Sequence, residues 1–195
     1  MKKLLLDYAE VLSQPFPDTS MVELAHRTDI PVPDFRQRYW EYRGPYDCGQ
    51  SSRDYWETVI GADQELGDAE LAALIRIDVN GWLDINPAAI QWLVTLNQSG
   101  TRPWLLSNAP HPLADAIDDL PIASLFDGLL FSARLGIAKP AQECFAEASI
   151  AMATRPEDIL FIDDRQANID AAAAYGMSTL LFTGDFPTLP YLEAR

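Results

Sequence analysis

The chain has 195 residues, 48% of them hydrophobic, which allows one substantial core with a smaller appended unit and is too short for two full-sized domains. Its 14 Lys plus Arg stand against 29 Asp plus Glu, a net charge of −15 that repels nucleic-acid phosphates and anionic membranes. No apolar run reaches the roughly 18 residues of a membrane span, the run Leu4-Leu5-Leu6 is too short for a signal peptide, and Cys48 and Cys144 lack the spacing of a metal site or a disulfide framework; a cytoplasmic protein with reduced thiols and neither a nucleic-acid nor a membrane partner is expected.

Residues 2–7 read as a buried strand whose apolar run ends on Asp7. From Gln14 to about Trp82 the texture changes to aromatic and charged residues punctuated by Pro15, Pro17, Pro31, Pro33 and Pro45, with no β alternation. Helices are expected around 19–27, 33–43, 51–60 and 68–76, the last with Asp68 and Glu70 in its first turn. Asn86-Pro87 then pairs an N-cap with a proline at the first helical position, opening a helix that ends near Gly100. A strand over 103–106 runs into Ser107-Asn108, and a helix over 112–119 and a strand over 128–132 follow. Pro140 opens a helix through about Met152, and Ile159–Ile162 forms a strand ending on Asp163-Asp164. An Ala-rich helix then reaches Gly176 as its C′ residue, and a fifth strand covers 178–182, with the tail after Thr183 expected along the surface. This alternation predicts an α/β fold, a doubly wound, parallel, five-stranded, Rossmann-like sheet. Residues 1–12 and 86–195 would form the core, with 13–85 as an inserted helical cap.

Ligands of an open parallel sheet bind beyond the carboxyl ends of its strands, so acids at two such ends can converge on one point. Converging carboxylates repel unless a cation lies between them, and hard oxygen donors suit Mg²⁺. Each residue also has a plain structural role open to it: an Asp at a strand end can be a turn former, Ser107-Asn108 a helix cap, and Lys139 a solvated lysine before a proline. The stretch 42–47, containing Arg43, is dense in polar and aromatic groups, and either faces a substrate or packs. Trp40 and Trp56 read as packing residues, His26 and His111 as structural or exposed, and Asn168 as a stabiliser of its loop.

Taken in order, Asp7-Tyr8-Ala9-Glu10-Val11-Leu12, Leu105-Leu106-Ser107-Asn108-Ala109, Gly136-Ile137-Ala138-Lys139-Pro140 and Phe161-Ile162-Asp163-Asp164-Arg165 resemble the four motifs of the haloacid dehalogenase superfamily of hydrolases, in the branch with a helical cap after the first strand. The resemblance covers essentially the whole chain and implies a Mg²⁺-dependent phosphatase acting on a small phosphate ester through an aspartyl phosphate. It is similar to members that act on sugar 1-phosphates. It implies Asp7 as nucleophile, Lys139 as fixed charge, and Mg²⁺ held by Asp7, the Ala9 carbonyl and Asp164, with Asp163 close by or bound through water. Ser107 and the Asn108 backbone N–H would hold phosphate oxygens, and Arg43 is the cap residue expected at the substrate. Most phosphatases of the superfamily carry an acid two residues after the nucleophile, where this chain has Ala9. With no proton-transfer group there, hydrolysis of the intermediate is expected to limit turnover. Two alternatives stand beside this reading: a 2-haloacid dehalogenase, which lacks that acid too and needs no metal, and a non-catalytic phosphate-binding member of the fold.

Overall fold

The structure is a computed structural model that describes residues 2–61 and 66–188. Its centre is a parallel five-stranded sheet with spatial order β3-β2-β1-β4-β5. The strands are β1 (Lys3–Leu6), β2 (Trp104–Ser107), β3 (Gly128–Phe131), β4 (Ile159–Asp163) and β5 (Ser178–Leu181). Alternation along β1 explains its two-sided burial: Leu4 and Leu6 join one apolar cluster with Leu93, Leu113 and Ile117, while Leu5 joins Phe145, Phe161 and Ala172 on the other face. Helices α6 (Pro87–Gln98) and α7 (His111–Asp118) cover the first face, and α9 (Gln142–Ala151) and α10 (Gln166–Tyr175) the second. The sheet is therefore doubly wound as the sequence predicts.

Between β1 and β2 the chain builds α1 (Asp18–Arg27), α2 (Val32–Glu41), α3 (Arg43–Asp47), α4 (Ser52–Ile60) and α5 (Asp68–Trp82). They close around an apolar cluster of their own, with Phe35, Tyr39, Tyr55, Trp56 and Leu74 at its middle. The outgoing and returning chains meet at an isolated antiparallel bridge, Ser13 with Ile85, flanked by Gln14 N donating to the Asp84 carbonyl and Asn86 N to that of Leu12. Residues 62–65, within the expected insert, lie outside the described residues.

Several boundaries differ from the sequence expectation, each for a local reason. The helix expected over 33–43 stops at Glu41, and Arg43 starts the separate turn α3. The helix expected to end at 76 continues to Trp82, because Ile77, Asp78, Gly81 and Trp82 all turn to a buried face. Ser132 belongs not to β3 but to the short helix α8 (Ser132–Leu135). Pro140 does not open a helix: it follows a cis peptide bond from Lys139, and α9 starts at Gln142. Asn86 caps α6 through its side chain, which accepts from Ala88 N, and Gly176 ends α10 in the left-handed conformation, both as expected. The tail packs across α6, where Trp92 Nε1 donates to the Pro187 carbonyl and stacks on Phe186.

Gly81 in α5 lies close against Phe16, just before α1. A methyl group there would meet the Phe16 ring at 2.4 Å, and Phe16 itself packs on Tyr39 and Trp82. Gly81→Ala should therefore cost about 1–3 kcal/mol in urea unfolding despite the better helix propensity of alanine. An unchanged midpoint would show that Phe16 moves aside freely.

Candidate active site

Parallel register decides which side chains meet. Leu6 pairs with Ile162, so the next residues, Asp7 and Asp163, come side by side at the end of the two strands, and Asp7 N donates to the Ile162 carbonyl at 2.9 Å. Donor oxygens of Asp7, Asp163 and Asp164 all lie within 4.8 Å of one another. Lys139 enters between them, its Nζ 2.7 Å from Asp7 Oδ1 and 2.8 Å from Asp163 Oδ2. Its backbone is fixed by Asn108, whose Nδ2 donates to the Lys139 carbonyl at 2.8 Å while its Oδ1 accepts from Lys139 N at 2.9 Å. The Asn108 side chain thus ties the loop after β2 to the loop after α8.

The two acids after β4 have different surroundings. Asp163 is fully buried, and besides Lys139 its oxygens accept from Arg165 N at 2.8 Å and from Asn168 Nδ2 at 3.0 Å. Asp164 is half-buried and faces the cavity that Asp7 lines. Asn168 accordingly serves its loop, as expected from the sequence.

Burial dominates the electrostatics. It pushes the Asp7 carboxyl well above the usual carboxylate range; Lys139 pulls it down and Asp163 adds to the rise. The Asp164 carboxyl is raised by burial and then by Asp163. For Lys139 burial works against the ammonium, but Asp7 and Asp163 outweigh it and raise its pKa. One buried cation among three clustered carboxyl groups leaves excess negative charge, and hard oxygen donors at this spacing suit a divalent cation such as Mg²⁺.

Two cavities adjoin these groups, sharing Ala9 and Trp40 as a common wall. The larger, about 280 Å³, is lined by Asp7, Glu10, Asp164 and Arg165 beyond that wall. Glu10 stands there exposed, on left-handed backbone with φ 58°. The smaller, about 70 Å³, is bounded by Ser107, Asn108, Arg43 and Asp47. A bigger hollow of about 490 Å³ lies at the turn from α1 to α2 beside His26 and Asp29, and Asp7, Lys139 and Asp164 are not among its lining residues.

Arg43 reaches the small cavity wall but is committed within the insert. Its Nε lies 2.8 Å from Asp47 Oδ1, and its Nη1 donates to the Tyr39 hydroxyl at 2.6 Å and to Asp78 Oδ1 at 3.1 Å. Asp78 was not singled out from the sequence. The available signal was an acid flanked on both sides by β-branched apolar residues, Ile77-Asp78-Val79. Trp40, read as packing, does pack edge-on against Tyr39 and Trp82 but leaves 47% of its surface exposed on the wall between the two cavities, whereas Trp56 is fully buried. His26 and His111 are exposed.

A parallel sheet with order 3-2-1-4-5, acids at the ends of two central strands and a lysine between them place a charged cluster at the carboxyl end of the sheet, where ligands of doubly wound α/β proteins bind. The chain belongs to the haloacid dehalogenase-like hydrolases, whose family profile matches residues 5–176. It is 32% identical over 127 residues to the GMP/IMP nucleotidase YrfG of Escherichia coli, covering 64% of this chain and 53% of that one. The chain thus spans about half the length of that relative. It is also 27% identical over 150 residues to the sesquiterpene phosphatase astK of Aspergillus oryzae, covering 76% of this chain and 74% of that protein. Among solved structures, a haloacid dehalogenase family enzyme from Bacteroides thetaiotaomicron, in complex with magnesium and inorganic phosphate, superposes with a TM-score of 0.75 at 18% identity, covering 95% of this chain and 96% of that one. No helix among the described residues is long and apolar enough to cross a membrane.

Proposed function

We propose that this protein is a Mg²⁺-dependent phosphatase of a small phosphate monoester. The observation that carries the reading is the Lys139 ammonium held between Asp7 and Asp163 beside the half-buried Asp164. Asp7 is the nucleophile: its carboxylate oxygen attacks phosphorus, and the bond from phosphorus to the ester oxygen breaks with its electron pair on the leaving oxygen. Lys139 keeps Asp7 oriented and offsets charge on the phosphoryl group, while the Ser107 hydroxyl and the Asn108 backbone N–H bind phosphoryl oxygens. Asp163 is a positioning residue for Lys139, since all its hydrogen bonds are internal. Asp7, Asp164 and the Ala9 carbonyl would hold the cation. When bound there, Mg²⁺ neutralises charge on the transferring phosphoryl oxygens.

Residues 13–85 act as the cap that selects the leaving group, and Trp40 is its exposed contact. An indole face favours an ester with a flat or apolar leaving group over a bare sugar phosphate. Two relatives, one a GMP/IMP nucleotidase and the other a sesquiterpene phosphatase, are in keeping with this. The dehalogenase alternative is disfavoured, because an acidic cluster repels a carboxylate substrate.

A panel of sugar phosphates, nucleoside monophosphates, prenyl and aryl phosphates and 2-haloacids, each with Mg²⁺ and with EDTA, tests the function. Turnover of 2-haloacids in EDTA would overturn it. Calorimetric titration should further show Mg²⁺ binding that largely disappears in Asp164→Ala, a loss of about tenfold or more in affinity. Undiminished binding would place the metal elsewhere.

A further inference from the structure

We infer that Asp47, carried by the helical insert, is the proton-transfer group of this site and fills the role that Ala9 leaves vacant. This rests on the phosphatase reading above. The small cavity of about 70 Å³ is bounded by Ala9, Ser107, Asn108 and Asp47, so the insert brings an acid to the wall it shares with the residues proposed to bind the phosphoryl oxygens. Asp47 is the carboxylate on its wall.

The group is held in place from both sides. Its Oδ1 accepts from Arg43 Nε at 2.8 Å, and its backbone carbonyl accepts from Ser132 Oγ at 2.5 Å. The same Ser132 hydroxyl oxygen accepts from Ala109 N at 2.9 Å, so one side chain ties the Asp47 backbone to the loop that carries Ser107 and Asn108. Among the described residues the hydrogen bonds of the Asp47 carboxylate fall on Oδ1, which leaves Oδ2 for water. The charged groups around it are Arg43 on its own helix, Asp78 from α5 and Arg165 from the loop after β4. Burial raises its pKa even against the Arg43 charge, and a carboxylate raised in this way is a stronger base toward water.

The proton count closes over one cycle. As water attacks the aspartyl phosphate, its proton passes to Asp47 Oδ2, the water oxygen bonds to phosphorus, and the bond from phosphorus to Asp7 breaks with its electron pair returned to the Asp7 carboxylate. Protonated Asp47 then gives that proton to the ester oxygen departing in the next turnover. Hydrolysis of the intermediate is therefore assisted, contrary to what Ala9 suggests from the sequence alone.

Asp47→Asn keeps the shape and the Oδ1 acceptor for Arg43 but cannot take a proton. With an aryl phosphate and Mg²⁺, its steady rate should fall about 10²–10⁴-fold, and rapid mixing should show a burst of about one equivalent per site that wild-type protein lacks. Asp47→Asn combined with Ala9→Asp should regain at least tenfold, and formate should restore turnover to Asp47→Ala, neither of which a packing role would produce. Turnover of Asp47→Asn within about threefold of wild type, or no recovery in both the double variant and the formate experiment, overturns the inference while leaving the phosphatase reading intact. Absence of phosphate-ester turnover by wild-type protein overturns both.

Discussion

Asp7→Asn should abolish phosphate-ester hydrolysis, with a loss of roughly 10⁴–10⁶-fold, the scale on which removal of a covalent nucleophile falls. The amide matches the carboxylate in shape, so Lys139 keeps its place against Asp163 at 2.8 Å and the sheet is undisturbed. An amide oxygen, however, does not form a stable bond to phosphorus. The same variant should be more stable than wild type at neutral pH in EDTA. Burial raises the native Asp7 pKa above its unfolded value, so the stability this group contributes is complete below the ordinary carboxylate pKa of about 4 and is lost as pH rises through the raised native pKa. The asparagine does not titrate and escapes that loss. Melting temperatures of the two proteins should therefore converge near pH 4 and separate in favour of the variant by pH 7.5. Turnover near the wild-type rate would remove Asp7 from the mechanism, and a lower melting temperature at neutral pH would show that its ion pair with Lys139 outweighs the cost of burying it.

The sheet was legible because its strands are short apolar runs stopped by polar residues: Leu4-Leu5-Leu6 on Asp7, and Ile159–Ile162 on Asp163-Asp164. A period-2 element buried on both faces needs no distant partner to be recognised. What the sequence could not carry were roles fixed by contacts between residues far apart in the chain. Asn108 holds the backbone of Lys139 across 31 residues, and nothing near either position announces it. The helix expected to end at 76 runs on to Trp82 because Asp78 can be buried, and Asp78 can be buried because Arg43, 35 residues earlier, meets it. For the same reason the acids of the pair Asp163-Asp164 are told apart from the sequence only by the family resemblance, which puts Asp164 on the metal. Only the placement of Lys139 and Asn168 gives the first acid an internal task and leaves the second facing the cavity. Trp40 inverts the usual expectation for tryptophan, standing on the exposed side of α2 with Arg36 and Gln37 whereas Phe35 and Tyr39 are buried.

Arg43→Ala should unfold the insert more readily than it alters substrate choice. Arg43 is 6% exposed and Asp78 1% exposed, and their ion pair is completed by the Tyr39 hydroxyl, which donates to Asp78 Oδ1 at 2.5 Å. Removing the cation leaves Asp78 buried among aromatic rings and takes away the partner that holds Asp47 at 2.8 Å. Breaking one side of a buried pair costs about 3–5 kcal/mol, whereas replacing both sides with groups of similar volume is often nearly neutral. Arg43→Ala should thus shift urea unfolding by about that amount and lower turnover of every substrate together. Arg43→Met with Asp78→Leu should recover part of the stability, because Asp78 no longer leaves a buried charge behind while Asp47 still lacks its partner. It should not recover turnover, since Asp47 would still lack the Nε donor that orients it. Selective loss for one class of phosphate ester, with the melting temperature unchanged in Arg43→Ala, would instead make Arg43 the substrate contact expected from the sequence.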